Sequence, residues 1–306
     1  MDKQKRMYSA KDFMKSNQTA ETLTEEYNIS FAKRFQEGLK KNKFAMVCTG
    51  ILVVIVIASL LSPLSPYDPD VMDSKAKLLT PSVSHFFGTD LYGRDYFTRA
   101  LYGGRISLTV GIGAAICSVI IGTVIGTFSG YLGGKADIFL MRFTDCFMAL
   151  PSFLIMIVLN ALFKPGVMTL ILVISLFSWP SMARIARAET MSIKERDYVI
   201  ASKNMGASHN WIIFRHIIPN MIGSITVTAS LIVASAILTE SSLSYLGLGV
   251  QLPMASWGSM LQDAQSTFLK LPSLSVYPGL LIVLTVLSFN TVGNVLRDAL
   301  EPKSYR

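Results

Sequence analysis

The sequence is poor in charge: 16% of its residues are Asp, Glu, Lys or Arg, against about 25% in an ordinary soluble domain. With a hydrophobic share of 51% and a mean hydropathy of +0.46, that deficit excludes a soluble globular protein and places the chain in the membrane class. Cysteine is scarce as well. Cys48, Cys117 and Cys146 form an odd set without motif spacing, each inside an apolar run. A disulfide framework and a zinc site are excluded, and the three read as small apolar core residues. The histidines, His85, His209 and His216, lack the HExxH spacing of a metal site. There is no Gly-x-Ser-x-Gly elbow for an acyl nucleophile. The run Gly130-Tyr131-Leu132-Gly133-Gly134-Lys135-Ala136 holds glycines and a lysine but is not GxxxxGK[ST], so it lacks the phosphate cradle of an ATP site. The first apolar run opens at residue 44, too far in for the apolar region of a cleavable signal peptide.

What is present is a series of apolar runs of bilayer-crossing length, about 20 residues each. They cover residues 44–61, 106–129, 138–163, 167–182, 221–238 and 277–296. The third carries Arg142, Asp145 and Pro151, so its start is the least well marked. The expected fold is therefore all-α: a polytopic membrane protein with six transmembrane helices after a cytoplasmic segment 1–43. Orientation follows from Lys and Arg. With the N-terminus inside, 21 of the 28 Lys and Arg fall on the cytoplasmic side and 7 outside, which predicts cytoplasmic N- and C-termini. The net charge of +8 is thereby a topology signal, and nucleic acid is not an expected partner. Within segment 1–43, an amphipathic helix is expected around 30–43, lying on the membrane surface or unstructured.

Gly122, Gly126 and Gly130 recur every fourth residue in the second run. This spacing lets two helix backbones approach closely, although glycine is also simply frequent in membrane helices. Intramembrane polar residues are functional candidates by default. Asp145, Asn160, Asn290 and Asn294 are accordingly candidates for the translocation path, and inter-helix hydrogen bonding accounts for them equally well. Arg142 and Asp145, three apart, are expected to pair with each other. Outside, the long loop 63–104 and Trp257 in Ser256-Trp257-Gly258 read either as a docking surface for a soluble protein or as part of an interfacial aromatic belt.

The most informative polar segment is the loop 183–219. Tyr198, Ala201, Ser202 and Met205 share one helical face, while Val199 and Ile200 point elsewhere. The short helix is thus apolar on more than one side, as suits an element held between its own membrane domain and a docked partner. Gly206 is a natural helix stop, Ser208 can cap a second short helix reaching Ile218, and Pro219 opens the fifth span, where its missing N–H costs little. A loop lying on the lipid headgroups explains the same pattern.

Ala201, Gly206 and Ile217-Ile218-Pro219 resemble the EAA loop of ABC importer permeases, with Ile200 at the position of the usual glutamate and Ser202 at that of the second alanine. Gly88-Thr89-Asp90-Leu91-Tyr92-Gly93-Arg94-Asp95 with Arg99, Gly104, Arg105, Ser107 and Leu108 resembles the segment before the second span of oligopeptide and dipeptide permeases of the C-subunit type. Gly130-Tyr131-Leu132-Gly133-Gly134 with Asp137, Met141, Arg142 and Asp145 is similar to their next stretch. Glu240-Ser241-Ser242-Leu243-Ser244-Tyr245-Leu246-Gly247-Leu248-Gly249 is similar to their extracytoplasmic loop after the fifth span. Together these segments cover roughly residues 40–306.

The resemblance implies a subunit of a bacterial plasma-membrane importer, coupled to ATPases through Tyr198, Val199, Ile200, Ala201, Ser202, Met205, Gly206 and Pro219. It implies a second homologous permease, two ATP-binding subunits and an extracytoplasmic substrate-binding protein as partners, besides membrane lipid. It also implies that this chain binds no cofactor and is not itself an enzyme, ATP and Mg²⁺ being used by the partner subunits. Peptides are the implied cargo. Another solute such as nickel fits the same motifs, and a membrane scaffold that recruits a soluble protein without transport is the alternative of a different class.

Overall fold

In a computed structural model that describes residues 31–300, all regular secondary structure is helical, with no strand among the described residues. Residues 1–30, most of the expected cytoplasmic segment 1–43, and the terminal Lys303 and Arg306 lie outside the described residues. The expected helix around 30–43 is α1 (Phe31–Lys41). Asn42 then caps α2 (Lys43–Leu60), its side-chain oxygen accepting from Ala45 N at 3.2 Å.

The bundle proper begins at α3 (Tyr96–Leu132). Its 37 residues make a rod of about 55 Å, longer than a hydrocarbon core of about 30 Å. It starts ten residues before the expected 106 because Asp95 caps it, accepting from Thr98 N at 2.8 Å. After Gly133 come α4 (Gly134–Ala149) and α5 (Ser152–Leu162), bent by 79° at Leu150-Pro151. The expected third span is therefore a broken one, because Pro151 cannot continue the ladder of α4. α6 (Val167–Lys194) runs twelve residues beyond the expected end at 182 and keeps Pro180 inside it. α7 (Asp197–Asn204) and α8 (His209–Ile212) follow, then a π-turn (Ile213–Ile217) that leads without a break into α9 (Ile218–Tyr245). α10 (Trp257–Ala264) and α11 (Ser273–Leu300) complete the chain. Among the described residues five helices are long and apolar enough to cross a membrane, or six if the bent pair α4–α5 is counted as one span.

α3 and α6 form the most intimate pair, and the glycine ladder explains it. A Cβ added to Gly122 would meet Met182 Cβ at 2.6 Å, one on Gly126 would meet Ala186 Cβ at 2.7 Å, and one on Gly130 would meet Arg187 O at 2.7 Å. The spacing thus serves a close helix contact within this chain. Leu108, Met182, Ala186, Ile217, Met221 and Ile237 bury against one another beside this contact.

Three expectations fail here. The segment from Glu240 to Tyr245 is not a loop: α9 continues through it, because the fully buried Glu240 carboxyl accepts hydrogen bonds from Ser107 Oγ at 2.9 Å and Ser244 Oγ at 2.7 Å. Trp257 is neither an interfacial anchor nor a docking residue. It is 1% exposed, and its Nε1 donates to Ala100 O at 2.9 Å. Of the three cysteines only Cys48 is buried, and Cys146 is exposed, since α4 packs on one side only.

The α10 end of the bundle is closed by a knot of buried charge. Arg94 donates to Asp90 at 2.6 Å and to Asp263 at 3.2 Å, while Arg99 donates to Pro69 O at 2.9 Å. The motif from Gly88 to Asp95 therefore staples the long loop onto α3 and α10. Gly93 has φ +79°, and a Cβ there would run into the backbone of Asp73.

Candidate functional site

At the opposite end, α6 delivers the chain to α7, whose first turn carries Asp197 and whose last turn carries Lys203, each matched to the helix dipole. The stop is a complete Schellman motif: Ala207 N donates to Ser202 O at 3.1 Å and Gly206 N to Lys203 O at 3.0 Å. It requires a left-handed residue at the turn, and Gly206 supplies φ +86°. A Cβ at Gly206 would meet nothing within 4 Å, so the requirement is purely one of backbone conformation. Ser208 then caps α8, accepting from Trp211 N at 3.3 Å.

Pro219 stands in the first turn of α9, as expected, and the second short helix runs into α9 through the π-turn without a gap. The N–H of Ile218 bonds to Ile213 O, five residues back, so one residue is looped out in a π-turn. Proline, which lacks the N–H an α-ladder would ask of position 219, follows directly. Pro219 is exposed on the first turn of α9.

The face of α7 that turns inward is marked by two side chains. Val199 and Ser202, three apart, are buried. Val199 joins the apolar core of Ile212, Ile213, Ile217 and Met221. The Ser202 hydroxyl lies 3.1 Å from His216 Nε2, and the His216 ring sits between Tyr198 and Trp211, with centroids at 5.5 and 4.9 Å. The Tyr131 hydroxyl, at the end of α3, lies 2.9 Å from His209 Nδ1. Ser202 therefore parts company with Tyr198, Ala201 and Met205, which are exposed. Ile200 is exposed as well, and so are Trp211 and Phe214 on the next segment. Met205, at the tip, is 81% exposed. The loop is thus rigid in backbone, keyed into the bundle by Val199, and shod on its outer side with large apolar groups.

The path candidates sit on three helices: Asp145 on α4, Asn160 on α5, and Asn290 and Asn294 one turn apart on α11. Asn160 is buried on α5, and its Nδ2 donates to Met156 O of the same helix at 2.8 Å. Asn290 is half-buried and Asn294 exposed, both on α11. Asp145 lies in a groove of about 480 Å³ between α4 and α6. It pairs closely with Arg184 at 2.6 Å and more loosely, as its spacing predicts, with Arg142 at 3.8 Å. Sequence spacing pointed to Arg142. Arg184 is 39 residues away in sequence and only the fold brings it near. Beside it Arg187 grips Asp137 with two bonds of 2.5 and 2.6 Å.

The described residues thus form a bundle of membrane-crossing helices with a loop of large exposed apolar groups at one end. The chain belongs to the family of binding-protein-dependent transport system inner membrane components, which matches residues 122–305. Residues 30–81 match the N-terminal TM domain of oligopeptide transport permease C. Among its relatives is the oligopeptide transport system permease protein OppC of Bacillus subtilis, 40% identical over 90% of this chain and 91% of that one. The dipeptide transport system permease protein DppC of the same organism is 41% identical over 91% and 88%. The glutathione transport system permease protein GsiD of Pectobacterium atrosepticum is 41% identical over 83% and 84%. A solved chain of the MetNI methionine ABC transporter, in inward-facing conformations, shares the fold. Its TM-score is 0.56 at 14% identity, covering 66% of this chain and 96% of that one. The protein is a multi-pass component of the bacterial inner membrane.

Proposed function

We propose that the chain is one of two homologous membrane subunits of an ATP-driven importer that takes peptides from an extracytoplasmic binding protein into the cytoplasm. Its termini and the α7 end face the cytosol, in keeping with the excess of Lys and Arg there. Relatives named for oligopeptide, dipeptide and glutathione transport support a peptide cargo.

The observation that carries the coupling role is the set of large exposed apolar residues Tyr198, Ile200, Met205, Trp211 and Phe214 on a loop whose turn at Gly206 is closed by backbone hydrogen bonds. Such a surface suits the groove of a soluble subunit. Two ATPases, one under each membrane subunit, would draw the two loops together on binding ATP and release them on hydrolysis. Since α7 is keyed to the π-turn through Val199 and Ser202, displacement of the loop moves α9 and α6 as well, which alternates access to the path between the subunits. Where a glutamate could form an ion pair, Ile200 offers only apolar contact, so docking here rests on shape and burial.

The test is co-purification of the chain with its partner subunits, followed by reconstitution. Two ATPase subunits per complex and ATP-dependent peptide uptake are expected. A stable complex that contains no ATPase would overturn the reading.

A further inference from the structure

We propose that the open groove between α4 and α6 is a transient binding site for the C-terminal carboxylate of a peptide in transit, with Arg142 and Arg184 as its donors. The inference rests on the peptide-import reading above.

The groove is about 480 Å³ in volume, with Ile138 and Met141 beside its charged residues. Three arginines and two aspartates line it, and they are not equivalent. Arg187 and Asp137 use both of their paired groups on each other, and Asp137 also accepts from Ser129. That pair is a clasp between α4, α6 and the end of α3. The remaining three residues are loosely held. Arg184 spends one N–H on Asp145, out of the five donors a guanidinium carries. Arg142 is 81% exposed, and its approach to Asp145, at 3.8 Å, is beyond hydrogen-bonding distance. Two guanidinium groups with donors to spare thus flank one half-exposed carboxylate. An incoming carboxylate is the ligand that such planar forks accept in pairs. Asp145 beside them suits a cargo that carries both signs of charge.

Place on the helix puts the groove beside the cytoplasm and not against lipid tails. Arg184 lies about 26 Å along α6 from Val167, close to the cytoplasmic edge of a hydrocarbon core of about 30 Å, and both arginines belong to the cytoplasmic set of the topology. A carboxylate leaving the path meets them at its exit. The loose pairing also suits transit: a site on a transport path must bind weakly enough to let go. Exposed ion pairs shift an equilibrium by no more than about fivefold.

The test uses the complete transporter, with its ATPases, second permease and binding protein, in lipid vesicles. Uptake of one peptide with a free C-terminal carboxylate is compared with uptake of the same peptide amidated, in wild type and in Arg142→Gln. The preference of the binding protein is common to both and cancels in the ratio. The free-to-amidated ratio should fall about three- to fivefold in the variant, and Arg142→Lys should restore part of it. An unchanged ratio overturns the inference, as does a change that follows the phosphatidylglycerol content of the vesicles and not the peptide terminus, which would mark a lipid-headgroup site. Absence of ATP-dependent uptake of either peptide by the wild type would overturn the peptide reading itself, and the inference with it.

Discussion

Ser107 on α3 donates a 2.9 Å hydrogen bond to Glu240 on α9, 133 residues further along the chain. The carboxyl it meets is fully buried, and Ser244 shares it from one turn away on the same helix. The Ser107 hydroxyl also accepts from Trp257 N at 3.3 Å. Three elements, α3, α9 and the start of α10, are thus tied at one polar point in an apolar bundle.

Removing that point should be costly. Glu240→Ala leaves buried hydroxyls unpaired, each worth about 1–3 kcal/mol, and the thermal midpoint of the purified complex should fall accordingly. Glu240→Gln, which keeps shape and one acceptor, should fall less. Equal midpoints for wild type and Glu240→Ala would refute the tie.

The glycine ladder predicts a sharp contrast within one membrane domain. Gly126→Val places atoms against Ala183 and Ala186 and should part α3 from α6, lowering the yield of folded protein and raising its susceptibility to protease. Gly50→Val on α2 meets nothing within 4 Å and should fold like wild type. Comparable protease resistance for both variants would show that the α3–α6 contact tolerates a wider spacing.

At the tip of the loop, Gly206→Val forces a β-branched residue into a left-handed turn, at a cost of about 1–2 kcal/mol or more. The bundle does not depend on that turn, so membrane insertion should be normal while ATP hydrolysis no longer drives uptake. Gly206→Asn, which tolerates the turn, should retain much of the coupling. Wild-type uptake per ATP hydrolysed in the valine variant would count against the role of α7.

Exposure on α7 gives an accessibility test. A cysteine placed at Met205 should be shielded from a water-soluble thiol reagent in the assembled complex and crosslink to the ATPase, yet label freely once the ATPase is stripped. Cysteine at Val199, which faces the core, should label in neither state. Free labelling at 205 in the intact complex would favour a loop resting on lipid.

Five of the expected membrane helices were legible because apolar length is a local property, and the break at Pro151 in the remaining run was foreshadowed by the proline. The ends of the helices were less so. α3 begins at Asp95 and α9 persists past Glu240 because polar side chains are satisfied by partners from distant segments, which no window of hydropathy can register. The same cause hid the inward face of α7: helical spacing grouped Ser202 with Tyr198, but His216, fourteen residues on, drew it inward beside Val199. Trp257 looked like a surface aromatic for want of a visible partner, and its partner, the Ala100 carbonyl, lies on another helix. Arg184 escaped notice for a like reason. Its carboxylate partner is across a bend that sequence could place but not aim.

The π-turn at Ile213–Ile217 stores one surplus residue in an otherwise unbroken rod from His209 to Tyr245. Were that residue drawn back into an α-ladder, everything before it would be re-phased by about 100° about the helix axis and shifted by about 1.5 Å. Trp211 and the α7 loop keyed to it would turn while the membrane part of α9 stayed in register. A displacement of the loop that absorbed the surplus residue would therefore be rotary as well as linear, with its angular step set by residue counting.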